Sequence, residues 1–278
     1  MTKIFGTRFS LIGDIVMSLP ILEHLQSEHG DYYMYFSIAS KCKQAAPLFL
    51  NQQFISEIKI SDFPEDLGPE DNKIIKNCDV VFNVKPQHPK EQDWYNYRNC
   101  VEETALMAGL DFKKFTNSTP ALKAYWNINK NKNSLAIWPF AGYGTGLNRS
   151  PTKEWWIKAL KPVLNKYKVI HFGFENEPTL SNSENYIKKT DSSFFDQIKM
   201  TLDCAACIGT DSGSMWCIGA YNQIPQLNLL TNWLPSHKLN ALALAPEGKM
   251  TKNLFSRNGF SDISCVEVEK FAYENLCI

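Results

Sequence analysis

The stretch TRFSLIGDIVMSLPILEHL, Thr7 to Leu25, places an ionisable Asp14 between LIG and IVM, in the most apolar part of the N-terminus. A lone carboxylate among apolar residues is costly to desolvate unless it caps a helix, finds a partner or lines a site. The residues that follow are helical in period: Ile15, Val16, Leu19, Leu22 and Leu25 recur on one face. KIFGT, just upstream, reads as a strand, so Gly13 and Asp14 stand where a first strand turns into a first helix, at the carboxyl edge of a sheet. An Asp there is either a plain helix cap, for which Asp is among the best residues, or a group turned toward a ligand.

Working outward, the same device repeats. YYMYFSIA (Tyr32 to Ala39), ISEIKI (Ile55 to Ile60) and DVVFNV (Asp79 to Val84) are further strand candidates, and DWYNYRNCVEETALMAGL resumes the helical period. The stretch from Asp111 to Ser134, rich in Lys, Asn, Ser and Thr, has no sustained period and reads as a connection. A second alternating unit then begins with SLAIWPFAG as a strand, TKEWWIKALKPVLNKY as a helix and KVIHFG as a strand. SSFFDQIKMTLDCA (helix), ACIGT (strand) and GSMWCIGAYNQ (helix) continue it, IPQLNLL closes the sheet, and CVEVEKFAYENL is a terminal helix. The expected architecture is α/β: two doubly wound, Rossmann-like domains, 1–118 and 119–278, facing a cleft, with ligands at the carboxyl ends of their strands.

The 29 basic and 29 acidic side chains balance, which removes the global positive field that nucleic-acid binders use. No continuous apolar run reaches membrane-spanning length, and no signal-peptide pattern opens the chain, so a cytoplasmic, non-spanning protein is expected. The eight cysteines are scattered as reduced, buried thiols would be. CAAC at Cys204 to Cys207 has redox or zinc spacing, yet no second CxxC or His pair completes a metal site, and it sits in an apolar strand pattern. The five histidines form no ligand pair, so no metal is expected.

Three turns of the second unit carry polar groups suited to a nucleotide. PFAGYGTGLNRSPTKEWW has Gly142, Gly144 and Gly146 for close backbone approach to an anion, and Arg149 for permanent positive charge ahead of a helix. It is no P-loop, since no GK[ST] follows, and a surface loop is the plain alternative. TDSGSMW offers Asp211, Ser212, Gly213 and Ser214 for a phosphate or ribose, or simply as a Ser-Gly helix cap. FGFENE ends a strand with Glu175 and Glu177, either of which suits a ribose diol or stands solvated in a loop.

In this order, LIGDIVMSLPILEHL, PFAGYGTGLNRSPTKEWW, FGFENE and TDSGSMWCIGAYNQIPQLNLL resemble the glycosyltransferase family of the ADP-heptose:lipopolysaccharide heptosyltransferases, glycosyltransferase family 9, whose fold is GT-B. The resemblance implies an inverting transferase that moves a heptose-like sugar from a nucleoside-diphosphate donor to a glycan or glycolipid acceptor, working peripherally at a membrane surface where the acceptor is lipid-linked. It implies Asp14 as base on the acceptor hydroxyl. On the donor side it implies Gly13, Gly142, Arg149 on the pyrophosphate (where Lys is usual), Glu177 or in the other register Glu175 on the ribose, and Asp211, Ser212, Gly213 and Ser214 on the diphosphate. Trp216 stands where the family commonly has His, and the chain is short in the half that recognises acceptor. Stacking on the donor sugar and packing in the core are both open to Trp216.

The chemistry agrees with these residue types. Displacing a nucleoside diphosphate builds negative charge on the leaving group while the acceptor hydroxyl loses a proton. The chain has no D-x-D to hold a metal, and helix N-termini with Arg149 can take that charge, so no cofactor is expected. A sugar-nucleotide epimerase or hydrolase, and a non-catalytic nucleotide- or sugar-binding module, are the competing readings.

Overall fold

The alternating apolar runs fold as parallel strands joined by helices, in two units, Met1–Tyr125 and Trp126–Ile278. The structure is a computed structural model and describes residues 1–8, 11–62, 67–84, 100–141, 149–231 and 250–276. The division falls after Tyr125 rather than after Ser118, and hydrogen bonds explain why. Gln52 grips Lys123 on both backbone groups (3.0 and 3.1 Å), and the Tyr125 hydroxyl donates to Pro47 O at 3.1 Å. Asn129 N and Asn131 N instead donate to Asp203, at 2.7 and 2.6 Å, in the second unit.

In the first unit β1 (Thr2–Arg8), β2 (Tyr32–Ala39), β3 (Glu57–Ser61) and β4 (Val80–Val84) form a parallel sheet in the order β3-β2-β1-β4. Helix α1 (Ile12–His29) buries Ile15, Val16, Leu19, Leu22 and Leu25, the stripe read from the sequence, each contributing about 1.5–3 kcal/mol. The short α2 (Ala46–Phe49) and α3 (Pro69–Ile75) follow, and α4 (Cys100–Met107) packs against α1. The part of the expected DWYNYRNCVEETALMAGL helix before Cys100 lies outside the described residues.

The second unit holds β5 (Asn131–Trp138), β6 (Lys168–His171), β7 (Tyr186–Lys188), β8 (Cys204–Thr210), β9 (Gln226–Thr231) and β10 (Thr251–Ser256), ordered β10-β9-β8-β5-β6-β7. Its helices are α5 (Lys153–Leu164), α6 (Phe194–Leu202), α7 (Gly213–Tyr221) and α8 (Cys265–Asn275). Numbered within the unit the order is 3-2-1-4-5-6, and the first unit reads 3-2-1-4. Both are doubly wound, and each has a switch point where its first strand lies beside its fourth. CAAC is strand β8, with both thiols buried, and burial pushes Cys204 up to about 11 and Cys207 well above its ordinary value. Such thiols are inert.

IPQLNLL does not close the sheet as expected: β10 adds beyond it, with Asn253 opposite Asn228. A polar ladder fixes this edge, for Gln226 Nε2 donates to Met215 O (2.9 Å) and Asn228 Oδ1 (2.7 Å), and Asn228 Nδ2 donates to Asn253 Oδ1 (2.9 Å). The other face of the sheet carries the core of α5 and α8 around Trp156, whose indole N–H reaches Pro139 O at 3.0 Å. Gly209 in β8 lets α7 come close: a Cβ there would overlap Met215 Sδ and stand 2.9 Å from Trp138 O.

Candidate functional site

The switch point of the second unit lies between β5 and β8, and Arg149 beyond the first meets Asp211 just after the second. Arg149, past the turn after β5, directs Nη2 to Asp211 O (3.3 Å) and Asp211 Oδ2 (3.4 Å) just after β8. The two side chains are 13% and 14% exposed, so the pair is shielded but open to a ligand. The other oxygen, Asp211 Oδ1, accepts the Trp216 indole N–H at 3.0 Å. One carboxylate is thus held by a guanidinium on one side and an indole on the other. Gly142, Gly144 and Gly146 lie outside the described residues, while Ala141 N donates to Ser150 Oγ (2.7 Å) across that turn.

Ser212 is the N-cap of α7, its Oγ accepting from Met215 N at 3.5 Å and lying 3.1 Å from Ser214 Oγ. The N–H groups of a helix start attract an anion, and Gly213 at the first position of α7 brings no side chain over them. Ser212→Ala is expected to cost about 1 kcal/mol in urea unfolding, the usual loss for a serine cap. Trp216 is only 5% exposed. It therefore has no open face on which a sugar could stack, and its reach into the site is the N–H on Asp211.

Beside β5, on the side away from β8, β6 ends at His171 and turns through Gly173 to Glu177. The two acidic residues of this turn separate sharply. Glu175 is exposed, whereas the Glu177 side chain is 8% exposed and fully engaged. Glu177 Oε2 lies 2.8 Å from His171 Nε2, and Oε1 accepts Phe174 N at 3.0 Å. His171 is completely buried, with Nδ1 2.5 Å from the Tyr186 hydroxyl, which accepts Leu180 N at 3.2 Å. One assignment satisfies every group: Nε2–H donates to Glu177 and Tyr186 O–H donates to Nδ1. Burial pushes the Tyr186 phenol up to about 12, so it keeps that proton. The carboxylate turned to solvent is Glu175, not the Glu177 that the motif register favours.

Asp14 and Gly13 belong to the first unit, in the first turn of α1 beside its switch strand β1. Asp14 is the third residue of the helix, not the residue before it; its Oδ2 accepts Leu11 N at 2.8 Å and the group is half-buried. The Cys42 thiol, pushed up to about 11 chiefly by burial, feels the Asp14 charge as well. Among the described residues no group of three His, Cys, Asp or Glu is placed to hold a metal ion, and no helix is long and apolar enough to cross a membrane.

No protein-family model and no curated protein matches the chain. Solved structures do. The ADP-heptose lipopolysaccharide heptosyltransferase II of Escherichia coli superposes with a TM-score of 0.71 over 99% of each chain, at 14% identity. A family 9 glycosyl transferase from Veillonella parvula gives 0.69 over 98% of this chain and 97% of its own, at 15% identity. The E. coli heptosyltransferase WaaC, solved with ADP, gives 0.61 over 99% and 98%, at 11% identity. The chain has the GT-B fold.

Three residues of this GT-B chain escape sequence reasoning. Thr210, last in β8 and fully buried, has a hydroxyl with no hydrogen-bond partner among the described residues, a state that costs about 1–3 kcal/mol, at the strand end beside Asp211. His171 is an ionisable group inside a buried strand, the same anomaly that singles out Asp14. Phe174 is 45% exposed beside Glu175, a detail the apolar pattern of KVIHFGF hides.

Proposed function

We propose that the chain is an inverting, metal-independent glycosyltransferase, moving a heptose-like sugar from a nucleoside-diphosphate donor to a hydroxyl of a glycan or glycolipid acceptor. The observation that carries this reading is the Arg149–Asp211 pair at the switch point, next to the Ser212-capped start of α7, in a chain of GT-B fold. Doubly wound sheets bind ligands at this place, and the two devices there, a guanidinium and a helix start, both favour a diphosphate.

On this reading Asp14 takes the proton of the acceptor hydroxyl as its oxygen bonds to the sugar C1. The bond from C1 to the phosphate oxygen breaks at the same time, and the nucleoside diphosphate leaves with the electron pair. Arg149 and the α7 N–H groups hold the charge that builds on it. Attack from the face opposite the leaving group inverts C1. The Arg149 guanidinium exchanges part of its contact with Asp211 for the phosphate, while Trp216 keeps the freed carboxylate in place.

Release of nucleoside diphosphate from sugar nucleotides tests the proposal. Slow release that an acceptor accelerates supports a transferase. Fast release independent of acceptor identifies a hydrolase, and tight binding without turnover a binding module. Arg149→Ala should weaken ADP or UDP binding by about 1.5–3 kcal/mol, the scale of a charge-assisted hydrogen bond, and leave the bare nucleoside almost untouched. Calorimetry with both ligands reads the difference, and equal losses would reduce Arg149 to a loop residue.

A further inference from the structure

The turn Gly173 to Glu177 is held more firmly than a surface connection needs. Gln197 on α6 clasps Gly173 from both sides, accepting its N–H at 2.8 Å and donating to its carbonyl at 3.1 Å. Lys188 on β7 donates to Glu175 O at 2.8 Å and also to Glu177 O. Glu177, fixed by His171, takes the Phe174 N–H, and Gly173 sits at φ +148°, where a Cβ would overlap the Glu177 carboxylate. Three elements thus converge to fix five residues whose tip presents two open side chains, the Phe174 ring and the Glu175 carboxylate.

A single exposed aromatic residue is ordinary on a protein surface. An exposed ring in an anchored turn, next to an exposed carboxylate and beside a phosphate-suited switch point, is a set. Parallel strands lie about 4.8 Å apart, so β6 runs about 5 Å from the strand preceding Arg149 and about 10 Å from the one preceding Asp211. A nucleoside diphosphate with its phosphates at Arg149 and Ser212 that laid its ribose and base across β6 would reach this turn. Its diol matches a carboxylate, and its base matches a flat apolar ring.

We propose that Phe174 is the platform on which the donor's nucleobase stacks, with Glu177 serving as the buried peg that positions the turn rather than as a ligand. The inference rests on the glycosyltransferase reading only in taking a nucleoside diphosphate as the ligand. Stacking tolerates every base because each has a π-face, and the larger purine ring gains more from it. Glu175, one residue on, is then the group left for the ribose diol.

Titration calorimetry of the full-length chain with ADP, UDP and inorganic pyrophosphate tests this. Phe174→Ala should weaken ADP about 10- to 100-fold, UDP less, and pyrophosphate not at all, since base stacking is the only interaction removed. Phe174→Trp should restore ADP binding, and a thermal melt of each variant checks that the fold is kept. Unchanged ADP affinity in Phe174→Ala, or an equal loss for pyrophosphate, overturns the platform. Wild-type protein that binds pyrophosphate as tightly as ADP overturns the platform while leaving the phosphate site standing. Protein that binds neither overturns both the platform and the donor reading.

Discussion

Asp14→Asn is expected to leave the fold and the donor affinity intact and to lower the transfer rate about 100-fold or more, the usual effect of losing a general base. The structure makes this a clean substitution. Among the described residues the carboxylate accepts Leu11 N at 2.8 Å, and an Asn carbonyl oxygen accepts that bond equally well. What stability loses is the negative charge in the first turn of α1, about 0.3–1 kcal/mol. Single-turnover transfer with saturating donor separates the two roles. A wild-type rate in the Asn variant would leave Asp14 as a helix-capping residue and remove the catalytic assignment. A rate loss matched by an equal loss of unfolding free energy would trace the effect to α1 instead.

Trp216 gives the second large effect. Trp216→Ala is expected to lower the unfolding free energy by about 3–5 kcal/mol, because a ring with 5% exposure leaves a cavity when removed. Trp216→Phe keeps most of the volume but removes the N–H that holds Asp211 Oδ1. It should cost less stability and still weaken ADP about tenfold, the value of roughly one hydrogen bond to a charged group. Trp216→His, which restores a donor without the volume, should leave the order of preferred donor sugars unchanged. A new order of preference would mean that this position does face the sugar. Urea unfolding and ADP titration on the same preparations are sufficient to tell packing from positioning.

Much of the fold was legible because its signal is apolar periodicity, which local sequence carries in full. The Ile15 to Leu25 stripe, YYMYFSIA and DVVFNV all sit where their patterns put them, and IPQLNLL is a strand, though not the last of its sheet. Strands β7 and β10 were not legible. The first is three residues long, and the second, TKNLFS, is a half-exposed edge whose place depends on amides at Gln226 and Asn228. The boundary after Tyr125 was hidden for the same reason, since it depends on which unit's side chains bind the connecting backbone.

The site divides along the same line. That polar turns follow β6 and β8 could be read from residue types, as could the cation at Arg149 and the Asp211–Ser212–Gly213 turn. Which oxygen each group holds could not. Glu175 and Glu177 are the same residue type two positions apart, and only His171, a strand residue with no motif of its own, buries one and leaves the other open. Trp216 likewise offers stacking and packing as equals in sequence, and only its 5% exposure favours packing.

The Gln197 clasp on Gly173 also bears on kinetics. Because both backbone groups of Gly173 and the N–H of Phe174 are already bonded in the free protein, the turn meets its ligand ordered. Conformational entropy that a floppy loop would lose on binding has been lost on folding. Ligands that share a diphosphate should then arrive at similar rates, and selectivity among them should reside in how long each one stays.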